Sequence, residues 1–250
     1  MDIVVCVKRV PATDAKIKIA ADGKKIDPTG VQYGINPYDE YAVEQALKTK
    51  EALGKGSVTV VSLGGAEAKK DLLNELARGA DRAVLIQDGG KPHDAYSVAE
   101  ILAAHIRTIP HDLVFVGKQA VDLDNNQMGG RLAALLGMAC VSEVTKLTLE
   151  NGVFTAERDI EGAREVVSCK TPAVVSCHKG LNDPRSPNLK GIMAAKKKPL
   201  EEVQAAAFEP ATRLASLALP PEKPPARILG QGAAAVDALI TALKNEAKAI

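Results

Sequence analysis

Short runs that are apolar almost end to end, each followed by a stretch of helical periodicity, constrain this chain more than any other feature. In order they are DIVVCVK (2–8), a helix over 38–53, SVTVVSL (57–63), a helix over 66–78, RAVLIQ (82–87), a helix over 94–107, DLVFVG (112–117) and a helix over 126–136. A strand without alternation has no face to give to water, so these strands belong to a parallel sheet covered on both sides. The pattern predicts an α/β fold with a doubly wound, mostly parallel sheet, and sites in such folds lie beyond the carboxyl ends of the strands.

The pattern breaks in three places. AKIKIAADGKKID (15–27) alternates around Asp22-Gly23 and predicts a β-hairpin insertion between the first strand and the first helix. After Cys140, SEVTKLTLENGVFTAERDI predicts two strands around Asn151-Gly152, followed by strands in REVVSCK and AVVSCH, so the later sheet is expected to be mixed. From Pro199 the periodicity fades, and five prolines fall within AAAFEPATRLASLALPPEKPPARILG. This predicts an extended arm ending in the amphipathic helix AAAVDALITALKNEAKAI, whose apolar face suits a partner. The expected division is a nucleotide-binding α/β domain over 1–199 and a C-terminal arm and helix over 200–250.

Charge and composition exclude several classes. With 32 basic against 31 acidic residues, the chain has no field of one sign for nucleic acid or a membrane surface. Three Phe, four Tyr and no Trp argue against stacking platforms for single strands. Cys6, Cys140, Cys169 and Cys177 form no C-x-x-C pair and no zinc spacing, so four buried thiols in a reducing compartment are expected and no metal. The opening MDIVVCVKRV lacks the basic start and apolar stretch of a secretory signal, and no apolar run nears the roughly 20 residues of a membrane helix. The expectation is a soluble cytoplasmic protein, or an organelle protein whose transit peptide has been removed.

Two loops can hold a ligand. In INPYDE (35–40), Asn36 reads as an N-cap, Pro37 as the first helical residue and Asp39 as the acid of a capping box, although the same helix start is also a site for an anion or a purine edge. In GKQAVDLDNNQ (117–127), Gly117 permits close backbone approach, Lys118 can meet a phosphate, and the amides near Asn125, Asn126 and Gln127 point into the crevice. Asp122 and Asp124 make a poor phosphate cradle by charge; a nucleotide cradle and a plain polar connector account for this loop equally. DGG (88–90) and Gly64-Gly65 are weaker glycine turns. G-x-S-x-G and H-E-x-x-H are absent, and His93, His105, His111 and His178 read as surface or satisfied core residues. The chain looks like a nucleotide holder rather than an enzyme.

Several stretches together resemble the beta (small) subunit of electron transfer flavoproteins: VVCVKRV, INPYDEYAVEQAL, GADRA, LVFVGKQAVDLDNNQMG, ERDIEG, TPAVVS and LNDPRSPNLKGIMAAKKKPLE, in the family's order from residue 2 to about 200. The signature region 156–176 has Arg158, Glu161, Gly162, Glu165, Pro172 and Ser176 in place, and departs at Ala163, where the family usually has glycine or an acid. The resemblance implies a Rossmann-like, adenine-nucleotide-binding domain in a heterodimer whose large subunit binds most of an FAD. It also implies a structural, redox-inactive AMP in this subunit. Carried over by motif, the AMP residues are Cys6, Asn36, Pro37, Tyr38, Asp39, Leu63, Gly117, Lys118, Gln119, Ala120, Val121, Asp122, Leu123, Asp124, Asn125, Asn126, Gln127 and Met128. Adenine is expected near Cys6, Asn36 and Asp39, and phosphate near the amides of 125–128.

PRSPNLKGIMAAKKK (184–198) resembles the family's recognition loop, which implies that Leu189 docks flavin-containing dehydrogenases such as acyl-CoA dehydrogenases. Electrons would pass on to a quinone oxidoreductase or a similar acceptor. Electron-bifurcating members carry a second FAD in place of AMP and resemble G-D-T-A-Q-V-G-P where this chain reads L-D-N-N-Q-M-G-G at 123–130, which favours AMP. A stand-alone adenine-nucleotide module would use the same fold without the recognition-like loop or arm. An ATP pyrophosphatase is disfavoured by the absence of S-G-G-x-D-S.

Overall fold

The computed structural model describes residues 1–150, 152–223 and 225–250. The strands are β1 (Asp2–Cys6), β2 (Arg9–Pro11), β3 (Tyr33–Ile35), β4 (Ser57–Gly64), β5 (Arg82–Gln87), β6 (Leu113–Gly117), β7 (Ala139–Glu150), β8 (Val153–Ile160), β9 (Ala163–Lys170), β10 (Ala173–Cys177) and β11 (Leu200–Gln204). The helices are α1 (Pro37–Leu53), α2 (Lys69–Arg78), α3 (Ala95–Ile106), α4 (Met128–Leu136), α5 (Leu189–Ala195) and α6 (Val236–Asn245).

Nine of these strands form one sheet in the order β11-β5-β4-β1-β6-β10-β7-β8-β9, parallel from β11 to β7 and antiparallel beyond. The all-apolar strands are buried on both sides, and their residues alternate between two cores. Ile3, Val5 and Val7 join Val43, Leu47, Leu72 and Leu76 of α1 and α2 on one face. Val4 and Cys6 join Ile101, Leu102, Ile106 and Leu132 of α3 and α4 on the other. The sheet is therefore doubly wound. After β1 the chain adds β4 and β5 on one side, then crosses to place β6 on the other, which opens a crevice beyond the carboxyl ends of β1 and β6.

The irregular segments differ from expectation in instructive ways. The insertion at 15–27 folds back through a single bridge, Ile19 to Ile26, and the paired strands β2 and β3 lie outside it. Its alternating residues have no apolar layer to cover, so a longer ladder gains little. The expected mixed sheet is present; Asn151 lies outside the described residues, and Gly152 leads into β8. Residues 200–204, assigned by sequence to the arm, pair with β5 as the sheet's edge strand, so the boundary at 199 falls inside the fold. Of the four expected buried thiols, Cys6 and Cys177 are buried, but Cys140 is exposed and Cys169 half-buried. No helix is long and apolar enough to cross a membrane among the described residues.

Candidate functional site

A cleft of about 290 Å³ opens at the switch point. The ends of β1, β4 and β6 supply Cys6, Leu63, Val116 and Gly117. Beyond β6 come Gln119, Ala120, Leu123, Asn125 and Gln127, then Met128 at the start of α4. Val7 and Lys8 follow β1, and α1 sends in Asp39. Of the residues expected from sequence, Cys6, Asp39, Leu63, Gly117, Gln119, Ala120, Leu123, Asn125, Gln127 and Met128 thus meet, whereas Asn36, Pro37, Tyr38, Lys118, Val121, Asp122, Asp124 and Asn126 do not line the cleft. The facing wall carries no contiguous motif in the sequence: it is Asp88, Lys91, His93 and Asp94 of the β5–α3 loop, with Ala95, Val98 and Leu102 of α3. Its signals in the sequence are the DGG turn at 88–90 and the capping box of α3, in which Asp94 and Ser97 exchange hydrogen bonds.

Asn36 and Asp39 lock the floor of the cleft rather than capping α1. Asn36 occupies the N-cap position without a side-chain cap bond. Its Nδ2 donates to Asp39 Oδ1 at 3.0 Å and to the Gln119 carbonyl at 2.8 Å, while its Oδ1 accepts from the Val121 amide at 3.1 Å. Asp39 also accepts from the amides of Lys8 at 2.7 Å and Gly117 at 3.1 Å. One buried Asn–Asp pair therefore ties α1 to the ends of β1 and β6. Gly117 is required there, because a Cβ would lie 2.3 Å from Asp39 Oδ1. Burial pushes the Asp39 carboxyl up to about 7 against these hydrogen bonds, and burial with the Asp39 charge pushes the Cys6 thiol up to about 12. Cys6 thus remains an unreactive thiol at neutral pH.

Both acids of the loop after β6 have protein partners. Asp122 pairs with Lys8 at 2.7 Å, and Asp124 accepts from Gln119 Nε2 at 2.7 Å. Lys118, expected to meet a phosphate, is turned away to Glu143 at 2.8 Å, and Asn126 donates to the same carboxylate at 3.0 Å. A bulge in β7 aims Glu143 this way: its φ is +59° and its amide donates to Ser176 Oγ at 2.8 Å. The Lys118 hydrogen bond holds the Glu143 carboxyl below its usual range. Ser176 thereby gains a local role, and Arg158 and Glu165 of the same signature pair across β8 and β9. Asp124 and Asn126 take left-handed φ values of 48° and 46°, which short polar side chains tolerate. No side chain caps the first turn of α4, whose N-cap is Gln127. The flanking Gly64 and Gly65 stay outside the cleft.

The histidines are only partly satisfied: Nε2 of both His93 and His105 is buried without a partner. His178 packs edge-on to Tyr38, and His111 Nδ1 lies 2.7 Å from the Ile109 carbonyl. No group of three or more metal-ligating side chains occurs among the described residues.

Away from the cleft, α5 stands on α2 with Leu189 76% exposed at its first position. Asn188 caps it by accepting from the Gly191 amide at 2.7 Å. Arg185 grips Glu44 and Glu51 of α1 at 2.8 and 2.6 Å, and Asn182 donates to the Tyr41 carbonyl. Of the lysine run, Lys196 and Lys197 are exposed, whereas Lys198 turns inward and donates to the carbonyls of Leu76 and Ala80 at 2.9 and 2.6 Å.

Residues 24–208 match the family model described as the electron transfer flavoprotein domain. The chain is 40% identical to the electron transfer flavoprotein subunit beta of Bacillus subtilis (strain 168), with all of both chains covered. The chain belongs to the electron transfer flavoprotein beta-subunit family. Its counterpart in Bradyrhizobium diazoefficiens is 37% identical over 99% of each chain, and a relative from Oryza sativa subsp. indica, described as mitochondrial, is 35% identical over all of both. The family's name implies flavin involvement, and the beta-subunit designation implies an alpha-subunit partner; α5 falls within the matched span.

Proposed function

We propose that this electron transfer flavoprotein beta-type chain is the non-enzymatic half of a heterodimer: it holds a structural AMP in the cleft, supports an FAD held mainly by the large subunit, and docks flavin-containing dehydrogenases through Leu189. The observation that carries the AMP reading is the cleft itself, at the switch point, with the uncapped start of α4 and the loop amides beside it. Cys6, Leu63 and Met128 give it an apolar lining, and Asn125 and Gln127 supply polar contacts. At about 290 Å³ it is at the small end for ligand sites, which favours a mononucleotide over a second FAD.

The chain's own residues bind and orient. The Asn36–Asp39 clasp and the Glu143–Lys118 pair stiffen the strand ends around the ligand, and no nucleophile–base pair lines the cleft among the described residues. FAD, when bound, supplies the electron chemistry; the protein supplies proximity for transfer from a dehydrogenase and onward to a quinone oxidoreductase. Extracting the purified heterodimer and separating the released nucleotides tests this. One FAD and one AMP per heterodimer is the expected result; two FAD would establish the bifurcating type, and a stable lone monomer that gains nothing from the large subunit would favour a regulatory module.

A further inference from the structure

We propose that Met193 is a hydroperoxide-sensitive modification site on the docking face of α5, where conversion to the sulfoxide weakens the hold on a flavin-containing dehydrogenase, an inference that rests on the Leu189 docking reading above. The geometry of α5 leads there. Gly191 and Ala195, one turn apart, face α2: a Cβ on Gly191 would lie 2.2 Å from the Ala77 carbonyl oxygen, and Ala195 is buried. Leu189 and Met193 each stand two positions earlier, which turns them about 160° around the helix and away from α2. They are i and i+4 to each other, and therefore neighbours on one face. Their exposures agree, at 76% for Leu189 and 66% for Met193, with Ile192 between them at 45%. A surface that seats Leu189 therefore meets the Met193 thioether as well.

Its setting separates Met193 from the other methionines. Met1, Met128 and Met138 are half-buried against the two cores, so Met193 is the methionine most open to a small oxidant. With hydrogen peroxide, a sulfur lone pair takes one oxygen as the O–O bond breaks, and the departing hydroxide collects the proton of the transferred OH and leaves as water. Sulfur loses two electrons in forming the S–O bond, and the peroxide gains them. The product carries a polar oxygen where the thioether was soft and apolar. An apolar socket that takes Leu189 must then desolvate that oxygen without offering it a hydrogen bond. The helix cannot swing the sulfoxide aside, because the Asn188 cap, Arg185 and Lys198 clamp α5 and its flanks. The fold beneath stays intact, since the sulfur lies on the outer face.

The test treats the heterodimer with hydrogen peroxide and then removes the oxidant. Peptide mass spectrometry locates the added oxygen, and stopped-flow reduction by the dehydrogenase reads its effect. The wild type should carry the oxygen on Met193 and be reduced roughly three- to tenfold more slowly by the dehydrogenase, with reduction by dithionite unchanged. Met193→Leu should start near the wild-type rate and keep it after peroxide, because leucine fills a similar volume without a sulfur. Met193→Gln, which places a polar group at the same position, should be slow before any peroxide is added. A wild type left unoxidised at Met193, one that carries the sulfoxide at full rate, or a full-rate Met193→Gln would overturn the assignment. So would a Met193→Leu that slows as much as the wild type, which would move the effect elsewhere, for example to the exposed Cys140 thiol of β7. Full-rate reduction of untreated Leu189→Ala would instead remove the docking reading.

Discussion

Helices α5 and α6 both carry apolar residues to the surface, yet they are held in opposite ways. Leu189, Ile192 and Met193 project from α5, but its other side is fixed: Ala195 is buried, and Gly191 lies so close to α2 that a Cβ would fall 2.2 Å from the Ala77 carbonyl oxygen. Arg185 and Lys198 pin the segments on either side of it. In α6 no residue is buried, and Val236, Leu239 and Ile240 stand 41–48% exposed. Its polar tie runs to its own arm, from Arg227 to Glu246. A rigidly mounted anchor meets a partner with little ordering cost, as suits a transient encounter. An amphipathic helix with an open face needs a permanent surface.

The largest effect tests α6. Deleting residues 232–250 should weaken association with the large subunit by roughly 100-fold or more while the far-ultraviolet circular dichroism of the sheet domain persists. Sedimentation velocity on the co-expressed pair measures this, and an intact heterodimer would end the contrast between the helices.

Next, Gly191→Val should force α5 off α2 and cost about 1–3 kcal/mol in urea unfolding, because the obstacle is a backbone oxygen that cannot turn aside. Reduction by a dehydrogenase should slow as well. An unchanged midpoint and rate would show that α5 is not rigidly mounted.

The platform beneath α5 also has a pH dependence. Burial pushes Glu75 of α2 up to about 7, against the nearby Arg78 charge. Its folded-state value lies above its unfolded one, so the associated stability is fully present below about 4.5 and is lost as pH rises through about 7. Glu75→Gln should therefore stabilise the chain at pH 8 by on the order of 2 kcal/mol and change little at pH 5. Equal effects at both values would show that the carboxyl is ionised throughout.

Leu189→Ala is expected to have the smallest effect on folding, within about 0.5 kcal/mol, since the side chain is mostly in water. Stopped-flow reduction by a dehydrogenase should nevertheless slow several-fold with the flavin spectrum unchanged. A rate equal to wild type would remove the anchor.

The parallel core was legible in the sequence because its information is local. VVC of β1, VLI of β5 and VFV of β6 announce two-sided burial without reference to any other residue. Half of the cleft was legible for the same reason, as Gly117 and the DLDNNQM stretch carry their motif in one piece. Pairing across the fold was not. Lys118 looked like a phosphate ligand until a β7 bulge brought Glu143 to it, and Asn36 looked like a cap until it met the loop at 119–121.

By itself, then, the sequence determined the doubly wound architecture, the family and which strand ends line the cleft. Those follow from side-chain polarity at fixed periods and from contiguous motifs. Only the tertiary structure decided which charges in the cleft are spent, that the β5–α3 loop forms its second wall, and that α5 is clamped while α6 lies open. Each of these depends on residues far apart in the chain, such as Asp94 with Thr212 or Glu44 with Arg185, and on whether burial leaves a polar group a partner.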